Sequence, residues 1–108
     1  MVKVVVNAGA CGEHVVIYVT RLDTKRVRVM LETGCKQVDA MNPGLDNLLC
    51  LGKGHDVFVP VDRSAVYRAA VDHNLHPACP VPAAILRAIE AELGIAVARD
   101  VTIEFQVE

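Results

Sequence analysis

Two runs of β-branched residues, His14 to Thr20 (His-Val-Val-Ile-Tyr-Val-Thr) and Arg26 to Leu31, stand a few residues apart with Asp23-Thr24 between them. This pair narrows the choice of fold more than any other feature. In the second run Arg26 and Arg28 alternate with Val27, Val29 and Leu31. A period of two marks a strand with one wet and one buried face, and turn residues between two such runs mark a hairpin. Val2 to Val6 is a third β-branched run, short enough to suit a buried strand. The segment Asn7-Ala8-Gly9-Ala10-Cys11-Gly12 then breaks it with small residues. At the other end Asp100 to Glu108 alternates cleanly, Val101, Ile103, Phe105 and Val107 against Thr102, Glu104, Gln106 and Glu108. That pattern predicts a final strand in a sheet with one solvated face, as antiparallel sheets allow.

The middle of the chain changes period. After Thr33-Gly34, which can cap a helix, Cys35, Val38 and Met41 fall on one helical stripe, and Asn42-Pro43-Gly44 ends it. Leu45, Leu48 and Leu49 repeat at three to four residues and predict a second short helical piece over Leu45 to Leu51. Val57-Phe58-Val59 reads as an extended snippet closed by Pro60. Asp62 or Ser64 caps a helix running to Asp72, with Val66, Ala69 and Ala70 inward. Pro80-Val81-Pro82 opens the clearest element, Ala83 to Leu93. Its apolar face is Ile85, Leu86, Ile89 and Leu93, its wet face is Arg87, Glu90 and Glu92, and Gly94 stands past its end. The order β-β-β-α-α-α-β predicts a single α+β domain over residues 1–108, in two layers, a mostly antiparallel sheet with helices packed on one face. The βαβ alternation of a Rossmann-like fold is absent.

Composition excludes several function classes. Of 108 residues 53% are hydrophobic, and 11 basic against 13 acidic residues leave a net charge of −2, which argues against disorder. The same balance, with no Trp, two Phe and two Tyr, leaves no basic surface and few stacking platforms, so no nucleic-acid partner is expected. No run approaches the ~20 apolar residues that cross a bilayer, and the start is too short for a signal-peptide core. The expectation is a cytoplasmic protein with no membrane partner. A chain this short buries a modest core and is compatible with a homodimer.

The four cysteines, Cys11, Cys35, Cys50 and Cys79, are then expected to be reduced, and metal binding or redox chemistry outranks a disulfide framework. Cys11 lies in the glycine-rich turn, Cys35 at a strand-to-helix transition, and Cys79 directly before the Pro-Val-Pro helix start. A helix N-terminus favours thiolate, the form that binds metal and attacks electrophiles. Cys50 continues the Leu45, Leu48, Leu49 patch and is assigned to packing. Histidines stand near the same segments, as Cys11-x-x-His14 and as His73-x-x-His76-x-x-Cys79. Cys11, Cys35 and Cys79 with His76 or His14 as a fourth ligand supply the sulfur and nitrogen donors that zinc takes tetrahedrally, and three thiolates equally suit an iron–sulfur cluster. There is no Cys-x-x-Cys, so the ligands meet only if the fold gathers them.

The other features have plainer readings. Gly9-Ala10-Cys11-Gly12 lacks the lysine and spacing of a phosphate loop and is a tight turn. Glu13, Asp39, Asp46, Asp56 and Asp62 show no paired-carboxylate spacing and read as solvated or capping. Arg21, Lys25, Arg26 and Arg28 make a wet sheet face, and Ser64, with no Gly-x-Ser-x-Gly around it, is a cap rather than a nucleophile.

The Asn-Ala-Gly-Ala-Cys-Gly turn, Cys35 and the run His-Pro-Ala-Cys-Pro-Val-Pro-Ala-Ala-Ile-Leu-Arg-Ala-Ile-Glu resemble a small family of uncharacterised proteins from anaerobic bacteria and archaea. The likeness spans nearly the whole chain, loosest over Asn42 to Asp72, with no counterpart for Cys50. It implies no reaction, points to Cys11, Cys35 and Cys79, and through its anaerobic setting implies room for an oxygen-sensitive cluster. Three readings follow: a metal-binding protein holding zinc or an iron–sulfur cluster, a thiol redox or Cys-nucleophile enzyme, and a small oligomeric adaptor whose cysteines only pack.

Overall fold

The computed structural model describes the whole chain, Met1–Glu108. Strand β1 (Val2–Asn7) pairs antiparallel with β2 (His14–Arg21), β2 with β3 (Arg26–Thr33), and β3 with a two-residue β4 (Leu48–Leu49), so the sheet is a meander in chain order. The hairpin turn is fixed by Asp23, whose Oδ1 accepts from the backbone N–H groups of Lys25 and Arg26, both at 2.8 Å. Register sets Val4 opposite Ile17 and Ile17 opposite Leu31, so Val2, Val4, Val6, Val15, Ile17, Val19, Val27, Val29 and Leu31 share one face. Helices α1 (Lys36–Ala40), α2 (Ala65–Asp72) and α3 (Val81–Glu92) cover that face: α3 over β1 and β2, α1 against β3, α2 beside α3. The predicted α+β architecture therefore holds.

Helix α3 keeps its predicted face, with Val81, Ile85, Ala88, Ile89 and Leu93 buried and Leu86 half-buried. Pro82 sits in its first turn, where a missing N–H costs nothing, and Gly94 ends it at φ 73°. At that end the Glu92 carboxylate accepts from the Arg21 N–H at 2.9 Å and lies 3.3 Å from the amino group of Met1. The C-terminal end of α3 thus sits beside the start of β1, and its N-terminal end points toward the turns carrying Cys11 and Cys35. Helix α2 buries Val66, Ala69 and Ala70 as predicted. No helix is long and apolar enough to cross a membrane.

Five expectations are corrected. Val2 to Val6 is an edge strand rather than a buried one: only Val6 is buried, Val2 and Val4 are half-buried, and no backbone group of Val2–Asn7 bonds beyond β2. Leu45 to Leu51 is not helical. Pro43 and Gly44 lie in a 3-10 turn (Asn42–Leu45), after which Leu48 and Leu49 pair with Val27 and Arg26. Three leucines at that spacing suit a turn followed by an extended pair as well as a helix. Along the same edge of β3 the Asn42 carboxamide takes the place of a strand residue, donating to Leu31 O at 3.0 Å and accepting from Leu31 N–H at 2.8 Å. Val57 to Val59 forms no strand. Ser64 precedes α2 but does not cap it with its side chain. Its buried hydroxyl donates instead to Val57 O at 2.8 Å.

The fifth correction concerns the terminus. Asp100 to Glu108 is in no sheet, and Val101, Ile103, Phe105 and Val107 are 61%, 77%, 89% and 91% exposed. Alternation encodes a two-faced strand, but a strand also needs an edge to bond, and the segment meets none within its own chain. The observed order is β-β-β-α-β-α-α followed by this unpaired segment.

Candidate functional site

The turns at one end of the sheet enclose a cleft of about 370 Å³. Cys11, Cys35, Cys79 and His76 line it, together with Glu13, Lys36 and Gln37, over a floor that includes Val15, Val38 and Val81. Three cysteines far apart in the sequence are therefore brought into one cavity. All four cysteines of the chain are free thiols.

Each cysteine is positioned by a different device. Cys11 closes a 3-10 turn (Gly9–Cys11) after β1, flanked by Gly9 at φ 77° and Gly12 at φ 72°. Those left-handed positions suit glycine, and they let the chain reverse within a few residues while Ala8 N–H donates to Glu13 O at 3.0 Å. Cys35 stands at the N-cap position of α1. Its N–H donates to Thr33 Oγ1 at 3.1 Å, and the Thr33 hydroxyl donates to His14 O at 2.9 Å, which pins the β3–α1 junction to the start of β2. The Cys35 thiol donates to Gln37 Oε1 at 3.5 Å. Cys79 N–H donates to His76 O at 3.1 Å, which folds the loop before α3 so that His76 and Cys79 both face the cleft.

Electrostatics differ from the expectation for a helix start. Burial pushes the Cys79 thiol above its ordinary value. The Val81 N–H, at the start of α3, acts in the opposite direction but does not prevail, and the charges that Cys11 and Cys35 carry when ionised add to the rise. The sequence argument for an activated thiolate at Cys79 is thus corrected: desolvation outweighs the helix terminus. Cys79 nonetheless feels the charge of both other cleft thiols.

Histidine placement separates the two nitrogen candidates. His76 lines the cleft from an exposed position, whereas His14 does not line it, and its ring bonds the Asn7 side chain. Glu13, read from sequence as solvated or capping, enters the cleft. Its Oε2 passes beside Gly34, 3.4 Å from where a Cβ would stand, an ordinary contact distance. The signal was present in Cys11-x-Glu13, two donors from one turn. Lys36 and Gln37 follow from Cys35 opening α1 into the cavity. No three His, Cys, Asp or Glu side chains already converge as a ligand set for one ion: the donors share the cavity without closing on its centre.

Other surfaces carry less chemistry. A more open depression of about 670 Å³ contains Arg68 and Asp56, which pair with each other at 2.8 Å. On the hairpin, Arg26 pairs with Asp23, Arg28 with Asp46 at 3.0 Å, and the Arg21 guanidinium donates to the carbonyls of Asp23 and Thr24. The basic cluster is therefore a locally bonded sheet face. Cys50 is buried among core side chains, 1% exposed, as its assignment to packing requires.

A family model described as Family of unknown function (DUF6951) matches residues 2–105 of the chain. No curated protein and no solved structure matches it.

Proposed function

Given that the chain belongs to the family of unknown function DUF6951, we propose that it is a metal-binding protein in which Cys11, Cys35 and Cys79 hold zinc or an iron–sulfur cluster. The observation that carries this reading is the shared cavity: three thiols from three separate segments line one cleft. Thiolates are the ligands both centres prefer, zinc in tetrahedral sites and iron in clusters. A bound cation also offsets the mutual repulsion of neighbouring thiolates, which is why metal binding releases protons from such groups. The fourth position falls to His76, which lines the cleft, rather than to His14, whose ring is held by Asn7 outside it. Glu13 lines the same cleft and offers a carboxylate oxygen. The separation of the donors implies that they rotate inward on loading, and the glycines either side of Cys11 permit that turn to adjust. An anaerobic setting, implied by the resemblance of the cysteine-bearing turns, favours the cluster over zinc.

The test is metal analysis with an ultraviolet–visible spectrum on protein prepared without oxygen. Visible absorbance identifies a cluster, and stoichiometric metal without colour identifies zinc. Cys11→Ser, Cys35→Ser and Cys79→Ser should each lose metal, while Cys50→Ala should keep it. Wild-type protein without stoichiometric metal overturns the reading, as does full retention in all three serine variants. A nucleophilic enzyme is less well supported, because burial favours the protonated form of Cys79.

A further inference from the structure

The sheet has one open rim. Along the far side of β3 the backbone is engaged near both ends, by β4 at Arg26 and Val27 and by the Asn42 side chain at Leu31. Along the outer side of β1, Val2–Asn7, there is no partner at all. An edge of this kind is a template for another strand. On the helix-covered side of the same edge Val2 and Val4 remain half-buried, packed against the core but not closed over. A strand added there would need apolar residues on one face and polar residues on the other.

The chain contains one segment of that description, and it is unpaired. Val101, Ile103, Phe105 and Val107 alternate with Thr102, Glu104, Gln106 and Glu108, and all eight are exposed. At ~3.3 Å per residue the segment is long enough to run the whole length of the six-residue β1. Charge matches too. With the apolar side chains turned toward Val2 and Val4, Glu104 and Glu108 fall on the outer face, where Lys3 lies over the Tyr18 ring. No basic residue follows Arg99, so the segment meets Lys3 with negative charge alone.

We propose that the occupant of the β1 edge is a second copy of this chain: residues Val101–Glu108 of one copy add as a fifth strand beside β1 of its partner, and the exchange is reciprocal. Strand addition of this kind draws affinity from main-chain hydrogen bonds and specificity from alternate side chains seated in the partner's surface. Two-fold reciprocity closes the assembly at a dimer. It removes the open edge and the exposed apolar row from each copy in a single event. The proposal does not rest on the thiol cleft, none of whose lining residues lies in β1 or in residues 101–108.

Mass in solution and amide hydrogen exchange test it on the full chain. Wild type should run at twice 11.7 kDa, with slowed exchange at residues 101–107 and along β1. The variant Ile103→Lys/Phe105→Lys alters two side chains that are 77% and 89% exposed in the single chain. It should keep its circular dichroism, weaken dimerisation by about a hundredfold or more and lose protection in both segments together. A monomeric wild type overturns the proposal. Protected amides at 101–107 in that monomer would mean that the segment folds back on its own β1. A dimer that survives the double variant with residues 101–107 unprotected also overturns it, and would place the interface elsewhere.

Discussion

Cys50 supplies a quantitative test of which sulfur belongs to the core. Its thiol is pushed up to about 11 from an ordinary value of 9.0, first by burial and then by the negative charge of Asp56. Between those two values the folded protein keeps the proton while an unfolded chain gives it up, so the unfolded state binds fewer protons and stability falls as pH rises. The contribution is complete below about pH 9 and is lost as pH passes through about 11. One pKa step is worth ~1.4 kcal/mol, so the full shift carries at most ~2.7 kcal/mol, and partial water entry at high pH brings the expected loss to about 2 kcal/mol. The perturbation is Cys50→Ala, which removes the titrating group and costs a pH-independent ~1–2 kcal/mol for the lost sulfur. Urea unfolding of both proteins under argon, from about pH 8 to about pH 10.5, gives two stability curves. Every other group is common to both proteins and cancels in the difference. Wild type should lead by ~1–2 kcal/mol at the lower pH and lose about 2 kcal/mol relative to the variant across the range, so that the lead vanishes or reverses. Parallel curves would refute the reasoning, because they would mean that the Cys50 thiol ionises equally well in the folded protein.

Two further substitutions probe the frame that carries the cleft. Asn42→Ala leaves the Leu31 N–H and C=O without their side-chain partners and should cost about 1–3 kcal/mol in chemical denaturation; a loss under half a kilocalorie, on the order of surface noise, would show that water replaces the carboxamide without penalty. The hydrogen bond from Lys25 N–H, joined by that from Arg26 N–H, holds the Asp23 carboxyl below the ordinary carboxylate value. Its contribution is therefore present at neutral pH and is lost as pH falls through the lowered value. Asp23→Ala should be less stable than wild type at neutrality, and the two should converge in acid. A stability gap that stays constant with pH would remove the carboxylate from the account of the turn.

The parts of the fold that were legible in the sequence are those with a sustained period. The β2–β3 hairpin and α3 each repeat long enough to reveal which face is buried, and Ile17, Val29, Ile85 and Ile89 are where the periodicity puts them. Leu48–Leu49 is too short to have a period, and its pairing with β3 depends on the turn that Asn42 and Pro43 impose. The edge position of β1 was hidden because Val2–Val6 carries the same residues a central strand would, and the missing neighbour is a fact of topology. At the site, Cys11, Cys35 and Cys79 were legible because each stands in a turn or at a helix start, where packing does not account for a cysteine. Glu13 was not, since its place in the cleft beside Gly34 is set by the approach of two segments distant in sequence. Desolvation at Cys79 was equally non-local: the helix start is written in Pro-Val-Pro, the burial that overrides it is not.

One side chain gives the molecule a handedness of growth. Because the carboxamide of Asn42 counterfeits a peptide unit beside Leu31, and β4 occupies Arg26 and Val27, that border of the ribbon is blocked near both ends. Two molecules that collide border to border there find neither a free donor nor a free acceptor at Leu31, and the one uninterrupted border is the opposite one. A chain with a sticky tail and two receptive borders would branch without limit. With one border obstructed, the proposed exchange has each molecule give a single strand and take a single strand.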